Sequence, residues 1–149
     1  MKKNYKSFII FSVFLIIVFF LINQNNVNVI DDNIGYIKIA GKNIKVELAD
    51  TREELIQGLS GRPRLGSGEG MLFIFENPGK YPFWMKAMNF SVDMIWINES
   101  MKVVYIAKDV SPDSFPKMYG PKEDAKYVLE VLAGFSEKNN LKEGDTVEF

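Results

Sequence analysis

From Gly35 onward apolar and polar residues alternate with a period of two, the pattern that a half-buried strand places on its two faces. Ile37 and Ile39 alternate with Tyr36 and Lys38; after Ala40-Gly41-Lys42-Asn43 the alternation resumes at Ile44, Val46 and Leu48. Two such runs joined by a Gly-containing turn predict a β-hairpin. Asp50–Gly58 breaks the pattern: Thr51 and Glu54 form a capping box and Gly58 suits a helix C-terminus, which predicts one helix of about two turns. Strands then return. Met71–Phe75 is continuously apolar, as a strand covered on both faces would be, and Phe83–Met88 is a further strand candidate. Val92–Ile97 and Lys102–Lys108 flank Asn98-Glu99-Ser100-Met101 as a second hairpin, Lys126–Ala133 alternates through Tyr127, Leu129 and Val131, and Thr146–Phe149 follows a Gly144-Asp145 turn. With a short helical turn over Gly134–Asn140, the expected fold class is mainly β: a small, mostly antiparallel β-barrel or sandwich with one or two short helices.

Two connections are long. Ser60–Gly70 carries four glycines and Asp109–Ala125 three prolines, lengths typical of functional loops or lids. Composition narrows the chemistry further. The chain has no Cys and no His, which removes thiolate nucleophiles, disulfides, imidazole bases and Cys/His metal sites. A formal net charge of −1 argues against nucleic acid as a partner. Met71, Met85, Met88 and Met94 could offer thioethers to Cu(I), but Met is common core filler, so neither a metal nor another cofactor is expected.

The first segment reads as an address. Lys2, Lys3 and Lys6 precede an apolar run from Phe8 to Ile22 broken only by Ser12. Tyr5 and Ser7 extend it to about 18 residues, so residues 1–22 are expected to form an uncleaved signal anchor, a transmembrane helix entering the membrane through residues 5–22. The positive charges before the run place the N-terminus in the cytoplasm and the rest of the chain outside the cell membrane, single-pass; secretion after signal cleavage is the alternative. Without those three lysines, 15 basic residues face 19 acidic ones, a formal net charge of −4. Residues 23–33 form a polar, Asn-rich linker reaching about 17–20 Å, and residues 34–149 form the exported domain. Asn89-Phe90-Ser91 and Asn98-Glu99-Ser100 fit the N-glycosylation acceptor pattern, which also arises by chance in Asn-rich chains.

Charged residues inside apolar segments supply the candidate site. Lys86 lies between Trp84-Met85 and Ala87-Met88, Asp93 opens Val92–Ile97, Glu130 interrupts Val128–Leu132, and Arg62 precedes Pro63. A charge in a buried strand costs several kcal/mol unless paired. One network is therefore expected, with Asp93 and Glu130 within salt-bridge distance of Lys86 or Arg62, and Trp84 as a wall. The candidate ligand-binding residues are Arg62, Trp84, Lys86, Asp93 and Glu130, and the expected function is binding of a small polar or anionic ligand or of an exported protein partner. Two alternatives stand beside it. Asp93 and Glu130 could be the acid and base of a hydrolytic enzyme, or the network could serve only to pin the strands.

The same segments resemble a known family. Gly58-Leu59-Ser60-Gly61-Arg62, Gly70-Met71-Leu72-Phe73-Ile74-Phe75, Phe83-Trp84-Met85-Lys86, Asp93 before an apolar strand, and Tyr127-Val128-Leu129-Glu130 with Ala133-Gly134 are similar to domain-of-unknown-function family 192 (DUF192). The resemblance covers about Ile44 to Phe149 and implies an exported or membrane-anchored, mostly antiparallel β-barrel-like domain with no established activity. The chain departs from the family pattern at Ala87, where Asn is usual, and at Ser91-Val92, where Pro-Leu is frequent.

Overall fold

A computed structural model describes residues 35–149. The expected anchor at residues 1–22 and linker at residues 23–33 lie outside the described residues, among which no helix is long and apolar enough to cross a membrane. The chain runs β1 (Tyr36–Ile39), β2 (Lys42–Ala49), α1 (Arg52–Gln57), β3 (Glu69–Gly79), β4 (Val92–Ile97), β5 (Val103–Val110), β6 (Ala125–Leu132), α2 (Phe135–Lys138) and β7 (Val147–Glu148). All seven strands join one sheet in the order β5-β4-β6-β3-β2-β1-β7.

Local chemistry accounts for most elements. Ala40 and Gly41 turn β1 into β2 with φ of 50° and 71°, the positive values a two-residue hairpin turn needs. The Thr51 side chain accepts from Glu54 N–H at 3.3 Å, and Glu54 Oε2 accepts from Thr51 N–H at 3.1 Å, so both halves of the capping box form. Helix α1 and the loop after it carry the chain back so that β3 runs parallel to β2; the other strand pairs are antiparallel.

The sheet curls into a half-barrel, and its two edges touch at one end. Lys102 forms an antiparallel bridge with Thr146, Val103 N–H donates to Asp145 O at 2.9 Å, and Val147 N–H donates to Met101 O at 2.9 Å. A single curled sheet replaces the sandwich alternative. Its inner face is apolar: Ile37, Ile44, Leu72, Ile95, Leu129 and Val147, from six strands, are buried in one cluster together with Val103 of β5. The outer face carries a second core of Met71, Phe73, Met94, Trp96 and Val128, roofed by Leu59, Leu65, Met85 and Met88. Cores on both sides explain why Met71–Phe75 is apolar without alternation.

Phe83–Met88 is not a strand. Phe83 makes only an isolated bridge to Tyr119, and the chain then turns across the outer face, with Ala87 at a φ of 55°. The segment's hydrogen bonds go to other loops, so apolar content here reflects roofing of a core.

Candidate functional site

Strand register decides where the two buried carboxylates go. Asp93 pairs with Val131 and Met94 pairs with Glu130 across β4 and β6. Paired residues share a face and neighbours along a strand alternate, so Asp93 lies on the inner face with Val131, and Glu130 on the outer face with Met94. The expected network of both acids with Lys86 or Arg62 does not form, and the two carboxylates cannot act together as an acid/base pair on one substrate.

Asp93, fully buried, is a backbone clamp. Its Oδ2 accepts from Ser136 N–H at 2.7 Å, and its Oδ1 from Asp109 N–H at 2.8 Å and Gly134 N–H at 3.3 Å. The β4–β5 register shifts between Val92 and Met94, opposite Asp109 at a φ of 47°. Asp93 therefore satisfies the amide that this irregularity turns away from the ladder, and joins it to the start of α2.

Glu130 has no such support. It is 4% exposed, flanked on the sheet by Met71 and Met94, and among the described residues nothing donates a hydrogen bond to its carboxyl. Burial pushes its pKa up to about 8, which favours the neutral acid at pH 7. Its side chain faces a cavity of about 150 Å³ over the outer face, which is also lined by Leu55, Gly58, Phe73, Phe83 and Trp84.

Two loops build the walls of that cavity. Gly58 ends α1 with a φ of 48°, and a Cβ there would come within 3.0 Å of the Phe73 ring. The absence of a side chain lets the loop approach the sheet. Loop 58–62 is stitched to loop 84–89: Gly61 N–H donates to Ala87 O at 2.8 Å, Ser60 Oγ to Lys86 O at 2.9 Å, and Asn89 Nδ2 to Arg62 O at 2.8 Å. Beneath them the buried Trp96 donates from Nε1 to Tyr81 O at 2.8 Å, fixing the entry to the second loop. Phe83 stands edge-on to Phe73 and Trp96 at 4.8 and 5.8 Å between ring centres.

The two basic candidates sit apart from the carboxylates they were expected to meet. Arg62 grips Glu47 of β2 with both guanidinium arms at 2.6 and 2.7 Å. This bidentate bond holds the Glu47 carboxyl below its usual range and raises the Arg62 guanidinium. Lys86 lies over the Trp84 ring, its Nζ 5.6 Å from the centre. Trp84 itself is 45% exposed at the rim, packed edge-on against Phe115 at 5.8 Å. Of the five candidates, Trp84 and Glu130 share the cavity, Arg62 and Lys86 brace or flank its loops, and Asp93 faces away. Sequence reasoning missed the aromatic wall of Phe73, Tyr81 and Phe83 and the partner Glu47. Gly58, which leaves room for the Phe73 ring, is the sequence signal that could have found that wall.

Comparison with known proteins agrees with this fold. The DUF192 family, described as "Uncharacterized ACR", matches residues 35–149. A UPF0127 protein of Thermococcus gammatolerans is 29% identical over 104 residues, covering 70% of this chain and 65% of its own length, so the chain spans just under two thirds of that relative. A protein of unknown function from Novosphingobium aromaticivorans superimposes with a TM-score of 0.73 at 29% identity, covering 76% of this chain and 84% of its own. A putative transcription regulator from Sinorhizobium meliloti gives a TM-score of 0.70 at 28% identity over 76% and 89% of the two chains.

Proposed function

Since the chain belongs to the DUF192 family, whose members are described as uncharacterised, we propose from its own geometry that residues 35–149 form a binding module. Its ligand enters the Glu130 cavity, and residues 1–22 anchor it outside the cell membrane. The observation that carries this reading is the unpartnered carboxyl of Glu130 lining an aromatic-walled cavity. Such a group costs stability relative to any apolar side chain of its size. A ligand that supplies the missing hydrogen bond turns that cost into affinity.

The cavity sets the ligand's size and character. A space of this volume holds about one benzene ring. No basic side chain lines it, and Arg62 is already engaged by Glu47. The ligand is therefore a small, mostly apolar molecule with one polar head, which departs from the polar or anionic ligand read from the sequence. A regulator's role on nucleic acid, suggested by the description of the Sinorhizobium protein, is not carried over to residues 35–149, where 15 basic residues face 17 acidic ones.

One observation favours a protein partner as a second reading. Phe83 and Tyr119 exchange hydrogen bonds at 2.7 and 2.8 Å, which sets Trp84 opposite Met118, and both are exposed beside Phe115. These three form an apolar patch on the cavity rim, of the kind that marks interaction surfaces.

Soaking crystals of the domain with a mixture of ring-sized fragments tests the main reading: density against Glu130 is expected, and an empty cavity across the set argues against it. Fractionation tests the anchor, with the protein expected in the membrane fraction and its domain cleaved by protease added from outside.

A further inference from the structure

The chemistry around Glu130 specifies the ligand's head more closely. A neutral donor or acceptor could be met by Gln, Ser or Thr at this position, at a smaller desolvation cost than a carboxyl. A carboxyl differs from those side chains in one respect that matters here: it can meet a positive charge with a negative one. The cavity walls have the same preference. Phe73, Phe83 and Trp84 line it, and aromatic rings attract cations. The chain itself shows this locally, since Lys86 sits over Trp84 and Lys117 over Tyr119, with Nζ 5.6 and 4.7 Å from the ring centres.

We infer that the cavity binds a small organic ammonium ion, its charge on the Glu130 carboxylate and its apolar body against Phe73, Phe83 and Trp84. This rests on the proposal that the cavity is a ligand site, and names the class of ligand it takes.

Binding is coupled to one proton. At pH 7 the free site holds its proton, because burial raises the Glu130 pKa to about 8. The ammonium binds as Glu130 releases that proton to solvent, leaving a carboxylate–ammonium pair with no other bond made or broken. The groups around Glu130 leave this titration to it. Strands β3 and β4 present Met71 and Met94, α1 presents Leu55, Ile56 and Gln57, and the loops present Ser60, Phe83 and Met88. Tyr81 is the other ionisable residue lining the cavity, and its hydroxyl donates to Asn77 O at 2.5 Å. Glu47 stands one strand beyond Met71, neutralised by Arg62.

Three probes of one shape test the inference on the full-length protein: benzylamine, benzyl alcohol and benzoate, titrated from pH 6 to 8 while the amide signal of Gly58 and the indole signal of Trp84 are followed by NMR. An alkylammonium stays charged across this range. Benzylamine is expected to bind at least tenfold more tightly than benzyl alcohol at pH 8. Its affinity is expected to rise roughly tenfold per pH unit below that point, with about one proton released per molecule bound in calorimetry at pH 7. E130Q should abolish both the preference and the pH dependence while still binding benzyl alcohol. Equal binding of amine and alcohol, or an amine affinity that ignores pH, overturns the ammonium assignment and leaves the cavity as a site for neutral ligands. No response to any probe overturns the ligand site as well. The pH series on the unaltered chain decides the matter even if E130Q fails to fold.

Discussion

Glu130 and Asp93 are both carboxylates buried in adjacent strands, yet their surroundings assign them different work. Three backbone amides hold Asp93, whereas Glu130 lines a cavity with no hydrogen-bond partner among the described residues. Replacing Asp93 with Asn leaves a single acceptor oxygen and turns an N–H₂ towards donors, so D93N should lower stability by about 3 kcal/mol. Denaturant melts measure that loss, and faster amide exchange at Asp109, Gly134 and Ser136 would locate it. For Glu130 the prediction concerns pH. Its pKa is about 8 folded against an ordinary 4.5, so between those values the folded state keeps a proton that the unfolded chain has released. The associated stability is fully present below about pH 4.5, declines as pH rises and is gone above about pH 8, a span on the order of 5 kcal/mol. Subtracting the pH profile of E130Q from that of the wild type should reveal this slope, and E130Q should be the more stable protein at pH 8. Parallel profiles would show that the group is not buried as a neutral acid.

At the scale of elements, legibility followed locality. The β1–β2 and β4–β5 hairpins, the capped α1, the strand at β6 and the closing β7 were readable because turn residues, caps and alternation lie close together in the chain. What failed needed long-range information. The face on which Asp93 or Glu130 stands depends on how β4 registers with β6, and a period of two names alternate residues without saying which set turns inward. Phe83–Met88 misled because a roof over an apolar core is as apolar as a strand. Trp84 and Glu130 were named from the sequence and line one cavity, but the aromatic wall between them is assembled from separate elements. The roof also explains a departure from the family pattern. Ala87 has a φ of 55°, a conformation that Asn and Gly adopt at less cost than Ala. A87N and A87G should each stabilise the domain by about 1 kcal/mol, a rise of roughly 4 °C in melting temperature. The Asn that the family resemblance leads one to expect here suits this backbone conformation.

For the whole molecule, the final residues hold both margins of the sheet. Lys38 and Ile39 pair with Glu148 and Val147 on one side, and Lys102 pairs with Thr146 on the other. Removing residues 145–149 should therefore bare two strand edges at once. The expected result is a loss of more than about 2 kcal/mol, with self-association visible by sedimentation, since unpaired edges recruit other chains. An unchanged monomer of unchanged stability would show that the closure is incidental. The arrangement also sets an order of events. A polypeptide delivered amino end first offers β1 early, but its outer neighbour is the last strand to appear. Closure of the sheet therefore waits on the pairing of its two strands most distant in sequence, β1 and β7, and every other strand must already have been made.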